Sequence, residues 1–287
     1  MNHEENRMQR WPLGVFASID AGLGVQLEVA HELGVPTVQL HAPQRSNRTP
    51  QRAAEFAARL RDLGMRVTVV FGGFEGESYA DIPTVGRTVG LVPPATRAAR
   101  TAEIKEIADF AQLLGAEAVG LHVGALPPRS EAADYAALLA AIRDLCDYCQ
   151  ALGLRVHLET GQEPAAALLE FLTDAARENL AINFDPANMI LYGCGDPIRA
   201  LEKVGPYVRS VHCKDARWSA RPGVDWGTEV PLGEGQVGME TLLRTLATLG
   251  YFGPLTIVRE TSPDPQQQNE EVGRGIALLQ TLKTKIL

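Results

Sequence analysis

The feature that most constrains this chain is a regular alternation of short apolar runs with helical patterns. Strict alternation of this kind favours a parallel sheet with right-handed crossovers. Eight such units favour closure of the sheet, so the sequence predicts an α/β fold, a single (β/α)8 TIM barrel. The predicted strands are 13–19, 37–40, 66–72, 118–123, 155–160, 180–185, 208–213 and 255–260.

Helical patterns follow each of these runs, and several of them close in glycine, which supplies a left-handed C-cap before the next strand. No G-x-G-x-x-G follows the first strand, which weakens the alternative of an open dinucleotide-binding sheet. Barrels of about 250 residues commonly form one domain, so we expect one domain over 1–287. The predicted helices are 23–33, 50–63, 95–114, 132–152, 164–176, 197–204, 237–249 and 270–284.

Composition narrows the class of partner. The net charge is -8 and the pI about 5.3, a poor match to nucleic acid, whose binding depends on Lys and Arg neutralising phosphates. The N-terminal MNHEENRMQRWPLG lacks the apolar core of a signal peptide, and no window approaches the ~18 apolar residues of a membrane span. The sequence therefore predicts a cytoplasmic protein that acts on a small polar molecule, with no nucleic acid or membrane partner.

Four metal-ligating side chains close four of the predicted strands, in RVHLE, LAINFD, VRSVH and LTIVRE. The carboxyl ends of barrel strands share one rim, so these side chains, Glu159, Asp185, His212 and Glu260, are expected to meet there. Three carboxylates and one imidazole favour a divalent metal, with Mn²⁺ preferred and Mg²⁺, Co²⁺ or Zn²⁺ as alternatives. The purely structural alternative is a helix cap at Asp185, salt bridges at both glutamates and a hydrogen-bonded core histidine.

A metal flanked by two carboxylates suits proton transfer next to a carbonyl. Glu159 and Glu260 are the candidate catalytic pair. Removal and return of a proton on opposite faces gives epimerisation, transfer to the neighbouring carbon gives aldose-ketose isomerisation, and departure of a β-hydroxyl gives dehydration. Two long connections, at 73–94 and 216–236, are candidate substrate walls, since long loops on this side of a barrel often carry function.

The chain resembles the sugar phosphate isomerase/epimerase group with a xylose isomerase-like barrel. The resemblance is carried by HLETGQE (157–163), NFDPANMILYG (183–193), VHCKDAR (211–217), VPLGEGQV (230–237) and GPLTIVRE (253–260). It implies a divalent metal held by Glu159, Asp185, His212 and Glu260, with the two glutamates as the acid/base pair. It also implies that Arg217 contacts a substrate oxygen and that the protein forms a homodimer.

Two positions depart from the ketose 3-epimerases of this group. Those enzymes carry a histidine three residues after the aspartate ligand, where this chain has Asn188, which can hydrogen-bond a sugar hydroxyl but cannot act as an acid. Glu163 lies four residues after Glu159, where they place a substrate-contacting glutamate slightly further on. Both residues are kept as candidate substrate contacts.

The other branches of the superfamily give the alternatives. Keto-inositol dehydratases share a His-x-Lys-Asp pattern with HCKDAR, so a lyase with Lys214 as a substrate contact is the first alternative, a surface ion pair being the structural one. Endonuclease IV-like enzymes need an Asp-x-His where this chain has Asp225-Trp226-Gly227. His41 and His122 are therefore interpreted as sugar hydroxyl contacts. A sugar-binding barrel without turnover is the remaining alternative.

Overall fold

A closed barrel of eight parallel strands forms the centre of the molecule, as the sequence predicts. The computed structural model describes residues 10–20, 24–262 and 264–287. Neighbouring strands pair in chain order around the barrel, and the last strand pairs with the first, Leu13 opposite Leu255 and Val15 opposite Ile257. The barrel strands are β1 (Leu13–Ser18), β3 (Thr37–His41), β4 (Arg66–Gly72), β5 (Ala118–Leu121), β6 (Arg155–Glu159), β7 (Leu180–Phe184), β8 (Val208–Cys213) and β11 (Leu255–Ile257).

Helices surround the barrel on its outer side. Eight of them correspond to predicted helices: α1 (Leu27–Glu32), α2 (Pro50–Asp62), α4 (Pro94–Leu114), α5 (Ala132–Ala151), α6 (Ala165–Ala175), α8 (Pro197–Val204), α9 (Met239–Thr248) and α10 (Pro265–Ile286). The predicted start of the first helix at Leu23, like the N-terminal residues 1–9, lies outside the described residues. Within the described part of the chain, no helix combines the length and the apolar character that crossing a membrane requires.

The first and last helices differ from their predicted bounds for local reasons. α1 begins later because Val25–Gln26 form a short strand, β2, paired with Ala17 and Ser18. α10 begins at Pro265, five residues before the predicted start, because Asp264 is its N-cap and accepts a hydrogen bond from the backbone N–H of Gln267. Proline fits the first helical position, where no N–H partner is needed.

Three further elements were not predicted, and all lie in loops at the carboxyl ends of the strands. These are α3 (Ile82–Thr88), α7 (Pro186–Tyr192) and an antiparallel hairpin of β9 (Asp215–Arg217) and β10 (Thr228–Val230). Both helices begin with an aspartate N-cap followed by apolar residues and proline, Asp81 and Asp185. They are too short for a helical period to stand out in the sequence.

The core of the barrel consists of apolar clusters outside and inside the ring of strands and of a polar layer. The larger cluster packs the outer faces of the strands against the helices, with Trp11, Phe110 and Phe171 among its fully buried side chains. A smaller cluster containing Phe16 and Phe71 lies inside the barrel, and both rings contact that of His212. Other interior positions are polar and buried: Gln39, His157, Asn183 and Ser210.

Candidate active site

A cavity of about 430 Å³ opens at the carboxyl ends of the barrel strands. Its floor is formed by residues at the ends of β6 and β8, and its walls by the two long connections that follow β4 and β8. Among the residues that line it are His41, Glu77, Tyr79, His122, Glu159, Asn188, Tyr192, His212, Lys214, Trp226, Glu229 and Glu260. In barrels of this type the chemistry is found at this end.

Three of the four predicted metal ligands form one compact, buried group. Glu159 is the last residue of β6, Asp185 follows β7 directly and His212 is the fifth residue of β8. One ligand atom from each lies within 4.8 Å of the other two. The parallel register places these strand ends side by side, as expected from the sequence.

The carboxylate of Asp185 has two separate environments. Its Oδ1 accepts a hydrogen bond of 2.9 Å from the backbone N–H of Asn188 and thereby caps α7. Its Oδ2 is buried and accepts no hydrogen bond from the described residues, although His212 Nδ1 lies 3.6 Å and Lys214 Nζ 3.7 Å away. The helix cap anticipated as the structural alternative is therefore present, but it uses only one oxygen. The other oxygen keeps its lone pairs for a cation, and together with Glu159 and His212 it offers a ligand set that fits a divalent metal.

His212 is oriented from inside the barrel. Its Nε2 donates a hydrogen bond of 2.6 Å to Oε1 of Gln39, whose Nε2 in turn donates to Oδ1 of Asn183 at 3.4 Å. This fixes the proton on Nε2 and turns Nδ1 toward Glu159, 3.0 Å from Oε1. Burial opposes protonation of the ring, but the neighbouring carboxylates of Glu159 and Asp185 raise its pKa to about 9.

Glu159 lies among hydrogen-bond donors and cations. Burial alone would favour its protonated form, but His122 and His212 hold its pKa down at about 2, so it is ionised. His122 Nε2 lies 3.3 Å from Oε2, and Asn188 Nδ2 donates to Oε1 at 3.2 Å. Asn188 thus contacts the predicted base itself.

Glu260 stands apart from the compact group and contacts Lys214 instead. Lys214 Nζ donates to Glu260 Oε2 at 2.6 Å and to Asn188 Oδ1 at 3.1 Å. The lysine side chain is only 2% exposed and its partner 32%, so Lys214 is buried and the alternative of an ion pair on the surface is wrong for the lysine. Burial disfavours the charged ammonium, but Glu260 and Asp185 outweigh it and raise the pKa of Lys214 well above its usual value. The backbone N–H of Glu260 donates to Glu229 Oε1, which holds the end of the last strand in place.

The hairpin after β8 is organised by Asp215. Its carboxylate accepts hydrogen bonds of 3.0–3.1 Å from the backbone N–H groups of Gly233, Gly235 and Val237. A Cβ at Gly235 would lie 2.1 Å from Asp215 Oδ1, so only glycine permits this approach. The segment Gly233-Glu234-Gly235 therefore shapes the wall of the cavity, and the same connection brings Trp226 and Glu229 to the cavity.

Two predicted substrate contacts do not line the cavity. The guanidinium of Arg217 donates to the backbone carbonyl of Glu234 at 2.9 Å and 3.1 Å. Glu163 is buried, its Oε1 has no partner among the residues that the structure describes, and burial raises the pKa of its carboxyl to about 8. Contact of either side chain with substrate stays a prediction. His41, His122, Asn188 and Lys214 do line the cavity.

Sequence reasoning missed several residues that the structure brings to the site. Glu77 and Tyr79 come from the connection 73–94, whose length was the signal. Tyr192, at the end of the unpredicted α7, packs edge-to-face on Trp226 with ring centroids 4.6 Å apart. Gln39 could have been noticed as an uncharged polar residue within an apolar strand.

Comparison with known proteins places the chain among xylose isomerase-like TIM barrels. A family model described as xylose isomerase-like TIM barrel matches residues 27–282. A xylose isomerase domain protein from Planctomyces limnophilus is 57% identical with a TM-score of 0.95, over 96% of this chain and 99% of that one.

Two solved structures of lower identity share the fold. An L-ribulose 3-epimerase is 16% identical, with a TM-score of 0.70 over 96% of this chain and 95% of that one. A probable 3-DHS dehydratase from Bacillus anthracis is 16% identical, with a TM-score of 0.65 over 88% and 92%. No curated protein matches by sequence. On the family match and the first of these structures, the chain belongs to the xylose isomerase-like TIM barrel family.

Proposed function

We propose that the protein is a divalent-metal-dependent isomerase or epimerase of a sugar, sugar phosphate or keto-sugar that works by proton abstraction next to a carbonyl. The observation that carries this proposal is the compact group of Glu159, Asp185 and His212 at the cavity floor, where one buried carboxylate oxygen of Asp185 accepts no hydrogen bond from the described residues. Family membership and epimerase structures with the same fold support it.

Glu159, Asp185 and His212 would hold the metal, with Glu260 as the predicted fourth ligand. When bound, a divalent cation polarises the carbonyl and the adjacent hydroxyl of a sugar and so acidifies the neighbouring C–H. Manganese is the metal we favour, because a mainly oxygen site suits hard divalent ions.

The proton transfers are assigned to the two glutamates. Glu159 has a pKa of about 2 and is therefore in the ionised form that a general base requires. Glu260 lies beside Lys214 and is partly exposed to the cavity, with 32% of its side chain accessible. One glutamate would remove the proton from the carbon next to the carbonyl and the other would return it, giving an epimer when they act on opposite faces.

The remaining cavity residues are assigned to substrate binding and exclusion of water. His41, His122 and Asn188 offer hydrogen-bonding groups at hydroxyl positions, and Lys214 offers a positive charge to the oxygen that becomes negative in an enediolate. Tyr79 and Trp226 provide ring surfaces for the apolar faces of a sugar.

Dehydration of a keto-inositol or similar substrate is the second candidate, because Lys214 is buried and directly contacts Glu260. In that reaction the same base removes the proton, and a donor beside the β-carbon assists the departing hydroxyl. Both reactions begin with loss of the same kind of proton, so one experiment addresses both.

The test is proton exchange followed by NMR. Manganese-loaded protein in D2O is incubated with a panel of ketoses, ketose phosphates and a keto-inositol. Deuterium at the carbon next to the carbonyl is the expected result, and the product separates epimerase, isomerase and dehydratase. Absence of exchange with every substrate would contradict the proposal for these classes.

Matched variants locate the exchange. Glu260→Gln keeps the shape of the side chain but removes its basicity, so turnover should be lost, and any exchange that remains is assigned to Glu159. Glu178 is an exposed glutamate in the turn that precedes β7, where the strand begins. Glu178→Gln should therefore exchange protons like the parent protein. Full turnover in Glu260→Gln would refute the role of that residue as base.

A further inference from the structure

A second cavity, of about 490 Å³, lies at the opposite end of the barrel, where the strands begin. We call it the lower cavity. It is bounded by the first residues of β4, β6 and β8 and by the segment before β11, and its polar lining residues include Arg66, Glu117, Arg155, His157 and Arg209. None of these residues takes part in the proposed reaction.

The lower cavity carries an excess of positive charge. Of its three arginines, Arg66 forms an ion pair with Glu117. Arg209 donates through one nitrogen to the backbone carbonyls of residues 206 and 208, both at 2.9 Å, which leaves its charge uncompensated. The guanidinium of Arg155 has no hydrogen-bond or ion-pair partner among the described residues. Two unpaired guanidinium groups beside one opening favour an anion.

His157 adds a hydrogen-bond acceptor at the top of this cavity. The side chain is buried, 4% exposed, and its Nδ1 lies 2.9 Å from Ser210 Oγ. The Ser210 hydroxyl donates to Asn183 Oδ1 at 2.6 Å, so the hydroxyl oxygen must accept from Nδ1–H. The proton therefore sits on Nδ1. Nε2 is buried, has no partner within the described part of the chain, and presents a lone pair.

The charge state of His157 agrees with this tautomer. Burial, together with the charges of Arg155 and Arg209, lowers the pKa of the ring to about 3. The ring is thus neutral near pH 7 and accepts a hydrogen bond at Nε2. A ligand that satisfies this cavity must combine negative charge with an O–H donor.

We propose that the lower cavity binds a small oxyanion that carries a hydroxyl group, such as hydrogen phosphate or a hydroxycarboxylate. Arg155 and Arg209 bind the negative oxygens, and His157 Nε2 accepts the hydroxyl proton in a hydrogen bond. This site is separate from the metal group at the other rim, so it does not rest on the proposed function.

Paired anions test the hydroxyl requirement by isothermal titration calorimetry of the full-length protein at pH 8 and constant ionic strength. Hydrogen phosphate keeps a hydroxyl at this pH and sulfate does not, and glycolate differs from acetate in the same way. Only the hydroxyl-bearing anion satisfies the buried lone pair of His157 Nε2, so within the recognised class it should bind at least ~10-fold more tightly than its partner. The pair that shows this preference identifies phosphate or carboxylate chemistry.

Variants locate the binding. Arg155→Ala should weaken it at least ~10-fold, and His157→Met should remove the preference for the hydroxyl. Arg61 is an exposed arginine away from the lower cavity, so Arg61→Ala should bind the anion like the parent. Lys214→Met removes the buried cation of the candidate active site and should also bind the anion like the parent. If His157→Met does not fold, the affinity of Arg155→Ala for the anion still tests the proposal. The proposal is overturned if no anion binds saturably, if neither pair shows a preference, or if Arg155→Ala binds normally.

Discussion

Replacement of Lys214 by methionine tests whether the ammonium group neutralises the carboxylates of the metal site. Lys214 Nζ lies 2.6 Å from Glu260 Oε2 and 3.7 Å from Asp185 Oδ2. Breaking a buried ion pair costs about 3–5 kcal/mol. The cost should be smaller here, about 2 kcal/mol, because Glu260 is partly solvated and His212 remains beside Asp185. For a chain of this size that lowers Tm by roughly 4–8 °C.

The assay is thermal unfolding of metal-free and manganese-loaded protein. We expect the Tm difference between Lys214→Met and the parent to be largest without metal and to narrow when Mn²⁺ is added, since the metal supplies the missing positive charge. Lys285→Met, which removes an exposed ion pair with Glu240, should change Tm little in either state. An unchanged Tm of the metal-free Lys214→Met variant, or a difference that widens with Mn²⁺, would refute the reasoning.

Three further predictions follow from buried polar contacts. Gln39→Leu removes the acceptor that fixes His212, and Mn²⁺ affinity measured by calorimetry should fall about 10- to 100-fold, whereas unchanged affinity would show that Gln39 does not position the ligand. Asp215→Ala removes the acceptor of three loop N–H groups, so trypsin should cleave the connection at Arg221 faster than in the parent; equal cleavage would contradict this. Glu163 keeps its proton up to about pH 8 in the folded state but ionises near pH 4.5 when unfolded, so stability falls as pH rises between these values. Glu163→Gln should therefore gain Tm relative to the parent from pH 5 to pH 8, with no further gain above it; a difference independent of pH would place the raised pKa in doubt.

The barrel and the three residues of the candidate metal group follow from the sequence alone for a clear reason. Parallel strands that are buried on both faces are continuous apolar runs, so the residue that ends such a run is conspicuous. Glu159, Asp185 and His212 were found in this way, and pairing of β6, β7 and β8 brings them together. The order of the strands also determines which ends are neighbours.

Contacts between loops could not be predicted in the same way. The buried position of Lys214 depends on Glu260 and Asn188, which lie 46 and 26 residues away along the chain. The hairpin of β9 and β10 depends on Asp215 reaching glycines about 20 residues later. Neither interaction leaves a periodic pattern, because it joins single residues of irregular segments. Arg217 is an example: its position after β8 suggests the cavity, whereas its side chain contacts the backbone of Glu234, and its contact with substrate stays a prediction.

The polar layer inside the barrel lowers the stability of the fold but orients a residue of the candidate metal group. Gln39, Asn183, Ser210 and His157 occupy interior positions that aliphatic side chains could fill, and a redesigned aliphatic layer would raise the free energy of unfolding. The same redesign would remove Gln39, which accepts the hydrogen bond from His212 Nε2. The imidazole ring could then rotate, and its proton would no longer be held on Nε2. Selection for thermal stability alone should therefore weaken metal binding at the candidate site through substitutions in the polar layer, while Glu159, Asp185 and His212 remain unchanged.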